Sequence, residues 1–556
     1  MTNTENVLLE TTQVQSALTV RSAADVEWAE EADLVVVGFG GAGVSAALQG
    51  AESGGHVIAI DRFDGGGATA YCGGVFYASD TSIQREAGVT DSADEMEKYL
   101  AAESAPVQAD TLKRFCQGSS ADFDWVNRYV PFSGALYTGK AQYPPEGKFL
   151  YYSGNEKVPK YAEVAKPAPR GHRALGAGYT GNVFFEGLRK AAMEAGVKLI
   201  THAPVRRLVM DTEGQILGVE VHRIRPDAID EHQKLYSEVN PQMPFKGLQY
   251  QVAIEKCQKF EAENSEPAFI RAHRGVVLST GGFVYNLELL RQHRPEMASA
   301  YGEILRLGSP GCDGSGMALG ATAGGYVDLM KNMFIGKTTS PPESLLHGLL
   351  INAEGKRFIS EDAYVSVVGG AVAEQPNNGT AYLVLDAKSF WSAFWNALTI
   401  GRSMFLFFGL PTLLNILKGG TRRSGSLQGL AKKLGLPGKT LQDTVQRYNE
   451  FIITGKSDPF GKQPANIAPI GKGPYYALNM SIRNKFSLTP VFTLGGLRVN
   501  EETGGVLRRD GSTVSGLYAA GRTAVGLCSA GYMSGMSLAD LVFSGRRAAM
   551  HALGQQ

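Results

Sequence analysis

Gly38-Phe39-Gly40-Gly41-Ala42-Gly43 follows directly on the apolar run Leu34-Val35-Val36-Val37 and opens a stretch of small residues. Glycines at this spacing suit the binding of a phosphate chain. Gly38 permits a tight turn, Gly40 lets backbone approach a pyrophosphate, and Gly43 lets the next helix pack close to the strand. Gly41 and Ala42 lie where a helix begins, and its unpaired N–H groups and positive dipole end favour an anion. A second run, Val57-Ile58-Ala59-Ile60, ends in Asp61 and Arg62. Asp61 stands where it can accept a hydrogen bond from a ribose hydroxyl, and Arg62 is counted with the same site. A strand, a glycine turn, a helix, a strand and an acid form a dinucleotide-binding βαβ unit.

The elements that position this unit belong to a chain of 556 residues, enough for two or three domains. Formal net charge is zero, and no basic stripe interleaves with aromatics, which excludes nucleic acid as a partner. The 68 glycines suit a protein with many tight loops. The five cysteines are scattered and form no CxxC, which argues against a disulfide framework and a structural metal site. His172, His202 and His273 are isolated, and no metal role is assigned to them. Residues 1–31 are polar with no apolar core of a signal peptide. They read as a loose arm, and the chain as a cytoplasmic protein, with the inner face of the cell membrane as a second location.

A first domain is expected over 32–325, with a charged, helix-prone surface insertion at 223–272. Composition changes at about 326 and 485, so a second domain is expected over 326–485 and a return to the first over 486–556. Residues 390–417 are apolar and aromatic, but Arg402 and Pro411 break the run below the roughly 20 residues of a membrane span. Two readings stay open. One is an interfacial hairpin with Lys418, Arg422 and Arg423 near anionic lipid. The other is a buried helical pair or an oligomer contact.

Several segments together resemble the fumarate reductase / 3-ketosteroid dehydrogenase group of FAD flavoproteins. They are the opening fingerprint, Gly66-Gly67-Ala68-Thr69, Thr280-Gly281-Gly282-Phe283, Gly311-Cys312-Asp313-Gly314-Ser315-Gly316 and Leu517-Tyr518-Ala519-Ala520-Gly521-Arg522. The resemblance implies an α/β chain with a discontinuous, Rossmann-like FAD domain and an inserted α+β capping domain. It also implies that backbone amides of the Ala68–Cys72 region, Thr69 included, line the flavin ring, with Val205 at the adenine and Gly67, Gly73 and Gly74 also binding the cofactor. Thr280, Gly281, Gly282, Asp313, Gly521 and Arg522 complete the cofactor set. Ser537 and Leu538 open the last helix, facing the N1/O2 edge of the ring. Respiratory members bind FAD covalently through a histidine in the loop matching Gly65–Thr69. This loop has none, so non-covalent FAD is expected.

Fumarate reductases of this group donate a proton from an arginine in the loop before the last helix. Here that loop reads Ser529-Ala530-Gly531-Tyr532-Met533-Ser534-Gly535-Met536-Ser537, with no Arg or His. The pattern is similar to 3-ketosteroid Δ4-dehydrogenases. The resemblance carries a second tyrosine to Tyr364, in Gly355-Lys356-Arg357-Phe358-Ile359-Ser360-Glu361-Asp362-Ala363-Tyr364. Tyr532 is then the base for the C4 proton of a 3-ketosteroid, with Ser534 and Tyr364 as its network and the C5 hydride going to the flavin. A phenol must have its pKa lowered to act so near neutral pH. Δ1-dehydrogenases place a glycine where this chain has Met536. Tyr179 and Phe492 line the sterol pocket or fill core. The rivals are Δ1-dehydrogenation, ene-reduction by reduced flavin, and a membrane-attached flavin protein without turnover. The electron acceptor is not identified.

Overall fold

The computed structural model describes residues 2–139, 141–243 and 246–555. Its central strand, Trp28–Val37, lies between Val57–Ile60 and Ser265–Leu278 and is parallel to both. Lys198–Ile200 continues the sheet beyond Val57–Ile60, also in parallel. Leu34 to Val37 are buried on both faces, as their unbroken apolar sequence requires of a covered parallel sheet.

Strand Ser265–Leu278 is long enough to serve two neighbours on one edge. Its first half pairs antiparallel with Ile216–Ile224. Its last residues, Val276 to Leu278, pair in parallel with Leu517 to Ala519, so the C-terminal segment re-enters the first sheet. Helix Gly41–Glu52 and the last helix, Met536–Ala552, pack against each other beside this sheet.

A separate antiparallel sheet runs Leu349–Asn352, Ala381–Asp386, Tyr475–Asn479, Arg422–Ser424. Its alternating residues face two cores. Leu349, Ile351, Val384 and Ala477 meet helices Leu427–Leu434 and Gly438–Thr454. Leu350, Leu383, Leu385 and Leu478 pack towards Phe390 and Ala393. Met333–Ile335 pairs antiparallel with Pro490–Thr493, where the chain leaves the first sheet region and returns.

Two expectations are corrected. Residues 2–31 are not a loose arm. Helix Asn3–Thr12 begins with a Thr2–Glu5 capping box, and its Leu8 is fully buried. Leu18–Val20 then pairs in parallel with Val209 to Asp211. A few well-placed apolar residues anchored a segment whose average composition is polar. The 223–272 segment is not merely a surface insertion either. Helices Ile229–Ser237 and Gly247–Asn264 bury Tyr236, Cys257 and Glu261, and strand Ser265–Leu278 starts inside the segment.

The 390–417 segment forms helix Ala387–Leu398 and, after a bend of 101°, a second helical stretch from Arg402 to Lys418. Among the described residues no single helix is long and apolar enough to cross a membrane. Its inner side is core: Phe390 stacks on Tyr476 at 3.8 Å.

Gly43 controls how close helix Gly41–Glu52 comes to the strand end. A Cβ there would lie 1.8 Å from the Gly38 carbonyl oxygen. Gly43→Ala is therefore expected to push the helix off its strand, cost roughly 1–3 kcal/mol or more, and yield protein with depleted FAD. Chemical denaturation and the flavin-to-protein absorbance ratio check this.

Candidate functional site

One large cavity runs along the C-terminal ends of the parallel strands. Gly38, Gly40, Gly41, Ala42, Asp61 and Arg62 line one part of it. Gly40 caps helix Gly41–Glu52 without any capping side chain. Ala42 and Gly43, second and third in that helix, have no carbonyl four residues back inside it. The Gly41 N–H is taken by Thr69 Oγ1 at 3.1 Å. Asp61 accepts from the N–H groups of Phe39 at 2.7 Å and Phe63 at 2.8 Å, which fixes its carboxylate at the turn. A Cβ built on Gly40 meets nothing nearer than 3.7 Å, so its backbone faces open space.

Gly67, Ala68, Thr69, Cys72, Gly73 and Gly74 line the same cavity, as do Val205, Thr280, Gly281, Gly521 and Arg522. Tyr143 ties its hydroxyl to the Gly73 carbonyl at 2.6 Å and so holds that loop. Ser537 and Leu538 reach the cavity from the first turn of helix Met536–Ala552. Its cap, Gly535, adopts φ +99 and offers no capping side chain. Two helix N-termini therefore open into one space, and the Ala42, Gly43, Ser537 and Leu538 amides have no carbonyl partner inside their own helices.

Three predicted residues lie off the cavity wall. Gly43 packs helix on strand. Gly282 lies against Thr493, whose Oγ1 would sit 2.4 Å from an added Cβ. Asp313 accepts from Arg62 at 2.8 Å and from the N–H of Ser315 at 2.9 Å. Its role in this fold is to hold Arg62 and to start helix Ser315–Thr322.

Tyr532, Ser534 and Tyr364 also line the cavity, although 168 residues separate Tyr364 from Tyr532 in the sequence. Phe334 and Phe492 stack on each other at 4.6 Å and meet the Tyr532 ring edge-on at 5.1 and 4.9 Å. These contacts fix the ring plane. No protein hydrogen bond reaches the Tyr532 hydroxyl among the described residues, which leaves it to a bound molecule. Burial pushes this hydroxyl well above the usual phenol range, Cys528 and Cys72 add to the rise, and Arg522 offsets part of it. The expected lowering of this pKa is therefore not a property of the protein groups alone. Ser534 is engaged elsewhere, with its Oγ 3.0 Å from the Tyr151 hydroxyl. Ser153 Oγ donates to the Ser534 carbonyl at 2.8 Å. Tyr364 is held through its backbone N–H, which donates to Asn155 Oδ1 at 2.8 Å. Tyr179, Phe407, Phe408, Leu345 and Pro490 add aromatic and aliphatic wall, with Tyr179 stacked on Phe407 at 4.2 Å, and Gln142, Thr338, Thr412, Asn415 and Ser487 add polar side chains to it.

The family model described as FAD binding domain matches residues 33–538. The chain belongs to this FAD-binding family. A 3-oxo-5-alpha-steroid 4-dehydrogenase of Comamonas testosteroni is 33% identical over 94% of this chain and 98% of its own length. A 3-oxosteroid 1-dehydrogenase of Mycobacterium tuberculosis is 25% identical over 95% of this chain and 99% of its own. Among solved structures, 3-ketosteroid-delta4-(5alpha)-dehydrogenase from Rhodococcus jostii RHA1, in complex with 4-androstene-3,17-dione, has a TM-score of 0.79. That structure is 28% identical to this chain, and the match covers 97% of this chain and 100% of that one.

FAD is thus the cofactor, and the residues present fit it. The open Gly40 backbone and the first-turn amides of helix Gly41–Glu52 would take the pyrophosphate, and Asp61 a ribose hydroxyl. The second free helix N-terminus would face the flavin ring. Within this FAD-binding fold, sequence reasoning missed the charge scaffold behind the cofactor site. Glu261 is completely buried and accepts from Arg62 and Arg206, each at 2.7 Å. His232 Nε2 lies 3.0 Å from Glu261 and His232 Nδ1 2.9 Å from His202, so His202 is not isolated as expected. Ligating atoms of His232, Cys257 and Glu261 lie within 4.8 Å of one another. With two guanidiniums on its carboxylate, this group reads as an ion-pair scaffold rather than a cation site. Tyr236, from the same segment, lines the cavity and stacks on Phe63 at 4.2 Å. Tyr151 was also missed, because it lies far along the chain from Ser534. A run of polar and charged residues carried no signal for Glu261 beyond its helical spacing from Cys257.

Burial alone would raise the Glu261 carboxyl, but Arg62, His232 and Arg206 reverse this and hold it far below the usual carboxylate range. Its folded pKa is depressed, so its stabilisation is complete above the unfolded value, about 4.3, and is lost as pH falls below that. Glu261→Gln leaves two buried guanidiniums without a counter-charge. It is expected to destabilise the protein at neutral pH by about 3–5 kcal/mol, with the deficit shrinking in acid. Denaturation of both proteins across pH, with FAD release as a second signal, checks this.

Proposed function

We propose that this FAD-dependent oxidoreductase is a 3-oxosteroid Δ4-dehydrogenase. The observation that carries the reading is the free Tyr532 hydroxyl, held between aromatic side chains in a largely apolar cavity that continues into the FAD cradle. A sterol is a flat apolar solid with one polar end. Its binding would be driven mainly by burial, at roughly 25 cal/mol per Å². The 33% identity to the Comamonas testosteroni enzyme supports the same substrate class.

A 3-ketone acidifies the hydrogen at C4, because the resulting carbanion delocalises as an enolate. Tyr532, as phenolate, takes that proton. Bound FAD supplies the acceptor for the C5 hydride, which leaves a C4=C5 double bond conjugated with the ketone. Phe334 and Phe492 hold the tyrosine ring in one plane, so the hydroxyl need not be re-oriented. Tyr364 and Ser534 supply hydroxyls for the steroid carbonyl or for moving the proton on, and Tyr151 keeps the Ser534 hydroxyl in place. Arg522 has no carboxylate partner among the described residues. It lies 5.0 Å from the Phe492 ring and is the cation that pulls the phenol towards ionisation.

In this reading FAD is held without a covalent bond, in a cofactor domain made of 32–325 and 486–556. Residues 326–485 form the capping domain that brings Tyr364. The protein works in the cytoplasm with an external electron acceptor. A raised phenol pKa also favours the opposite direction, in which Tyr532 donates a proton to an enone while reduced cofactor supplies the hydride. The same residues serve both directions.

Tyr532→Phe is expected to reduce turnover by roughly 10²–10⁴-fold. The measurement is anaerobic bleaching of the flavin by a saturated 3-ketosteroid, with the product's double bond located by mass spectrometry and NMR. In the wild type, kcat/KM is expected to climb with pH through neutrality. A base whose pKa is raised is mostly protonated there, and its active fraction grows about tenfold per pH unit below that pKa. The mutant should lose this slope. Full flavin colour with every saturated 3-ketosteroid, or a 1-ene product, would overturn the Δ4 assignment.

A further inference from the structure

The outer side of helix Ala387–Leu398 is exposed at Lys388, Trp391, Ser392, Trp395 and Leu398, a single face at helical spacing. Trp391 is 49% and Trp395 60% exposed, on a helix whose opposite side is fully packed. Leu406 and Leu417, on the second arm of the bend, are 66% and 71% exposed. The two arms pack on each other, so these side chains belong to one bent unit.

The segment's own charge is one-sided, although the Glu146 carboxylate lies at the bend beside Gly401. Between residues 387 and 442 the chain has eight Lys and Arg residues and no Asp or Glu. Arg402, Lys418, Arg422 and Arg423 are all exposed. The arginines after the hairpin lie close to the tryptophan helix. Tyr476 links them: Phe390 stacks on its ring at 3.8 Å, and the Arg423 guanidinium lies 5.9 Å from the same ring. The patch is also continuous with the cavity. Leu406 lines the cavity and is largely exposed, so it marks the rim, while Phe407, Phe408 and Pro411 line the wall behind it.

We propose that this bent hairpin docks the protein on the surface of an anionic phospholipid bilayer, with Trp391 and Trp395 at headgroup depth and the arginines on the lipid phosphates. Charge decides against a second copy of the chain as the occupant. A two-fold contact through this face would bring the same cations together, and the segment supplies no acid to neutralise them. Indole rings suit the boundary between headgroup and acyl chain, where one side is apolar and the other wet. The docked cavity rim then opens at the lipid. That consequence rests on the steroid reading above, because a sterol partitions into the bilayer. The docking itself does not.

The test is flotation of the FAD-loaded protein with vesicles of mixed phosphatidylcholine and phosphatidylglycerol, and with vesicles of phosphatidylcholine alone, without steroid. Wild type is expected to float with the anionic vesicles and to stay behind with the neutral ones. Arg422→Glu/Arg423→Glu is expected to lose about 100-fold or more in partition coefficient, and Trp391→Gln/Trp395→Gln to lose both binding and quenching by brominated lipid. Retained flavin colour shows that each variant is folded. Because the two arginines are exposed, the charge variant remains informative if the tryptophan variant does not fold. Equal behaviour of wild type and the charge variant would overturn the proposal. So would a wild type that ignores anionic vesicles, or one that instead self-associates through this face in sedimentation. Turnover of detergent-dispersed steroid should be unchanged in both variants, so a failure of docking is distinguishable from a failure of the steroid assignment.

Discussion

The site depends on one close approach. Helix Gly41–Glu52 must lie almost on the backbone of the turn that precedes it, because a Cβ at Gly43 would fall 1.8 Å from the Gly38 carbonyl. The last helix must lie almost on the first, because a Cβ at Gly545 would fall 2.6 Å from the Ala42 carbonyl. Glycine is the only residue that satisfies either contact. These two backbone contacts bring both helix N-termini to the same cavity, one beside the Gly38–Gly43 turn and one beside Tyr532. The partial positive charge of each terminus is then available to one elongated anionic cofactor.

Charge and burial are balanced differently at the two ends. At the cofactor end, buried ions are compensated: Glu261 accepts from two arginines, and Asp313 shares one of them. A fixed array of this kind can face a diphosphate without rearranging. At the chamber end, a phenol is buried, Arg522 favours its ionised form, and desolvation wins. The same seclusion that disfavours the ionised phenol also keeps water away from its ring.

The parallel strand runs, the glycine turn with its acid, and the absence of Arg and His from the loop before the last helix were all legible in the sequence. Each depends on neighbours within a few positions, where backbone geometry and side-chain chemistry are decided locally. Tyr532 was legible as a candidate because it sits in a short motif next to a helix start. Its electrostatic state was not, because that depends on Phe334, Phe492, Cys72 and Arg522 arriving from four other places in the chain. The N-terminal residues and the 223–272 segment were misread for the same reason: average polarity concealed the single buried faces of Leu8, Tyr236 and Glu261.

Residue order is enough to show a dinucleotide-binding βαβ unit at the start of the fold, and a tyrosine rather than a guanidinium before the last helix. Both follow from local spacing. It took the folded chain to show that Tyr364 and Tyr532 share a cavity, that Ser534 is tied to Tyr151, and that the 223–272 segment carries the buried counter-ion of Arg62 and Arg206. Those outcomes turn on which distant surfaces exclude water together, and burial is a property of the packed whole that no window of sequence contains.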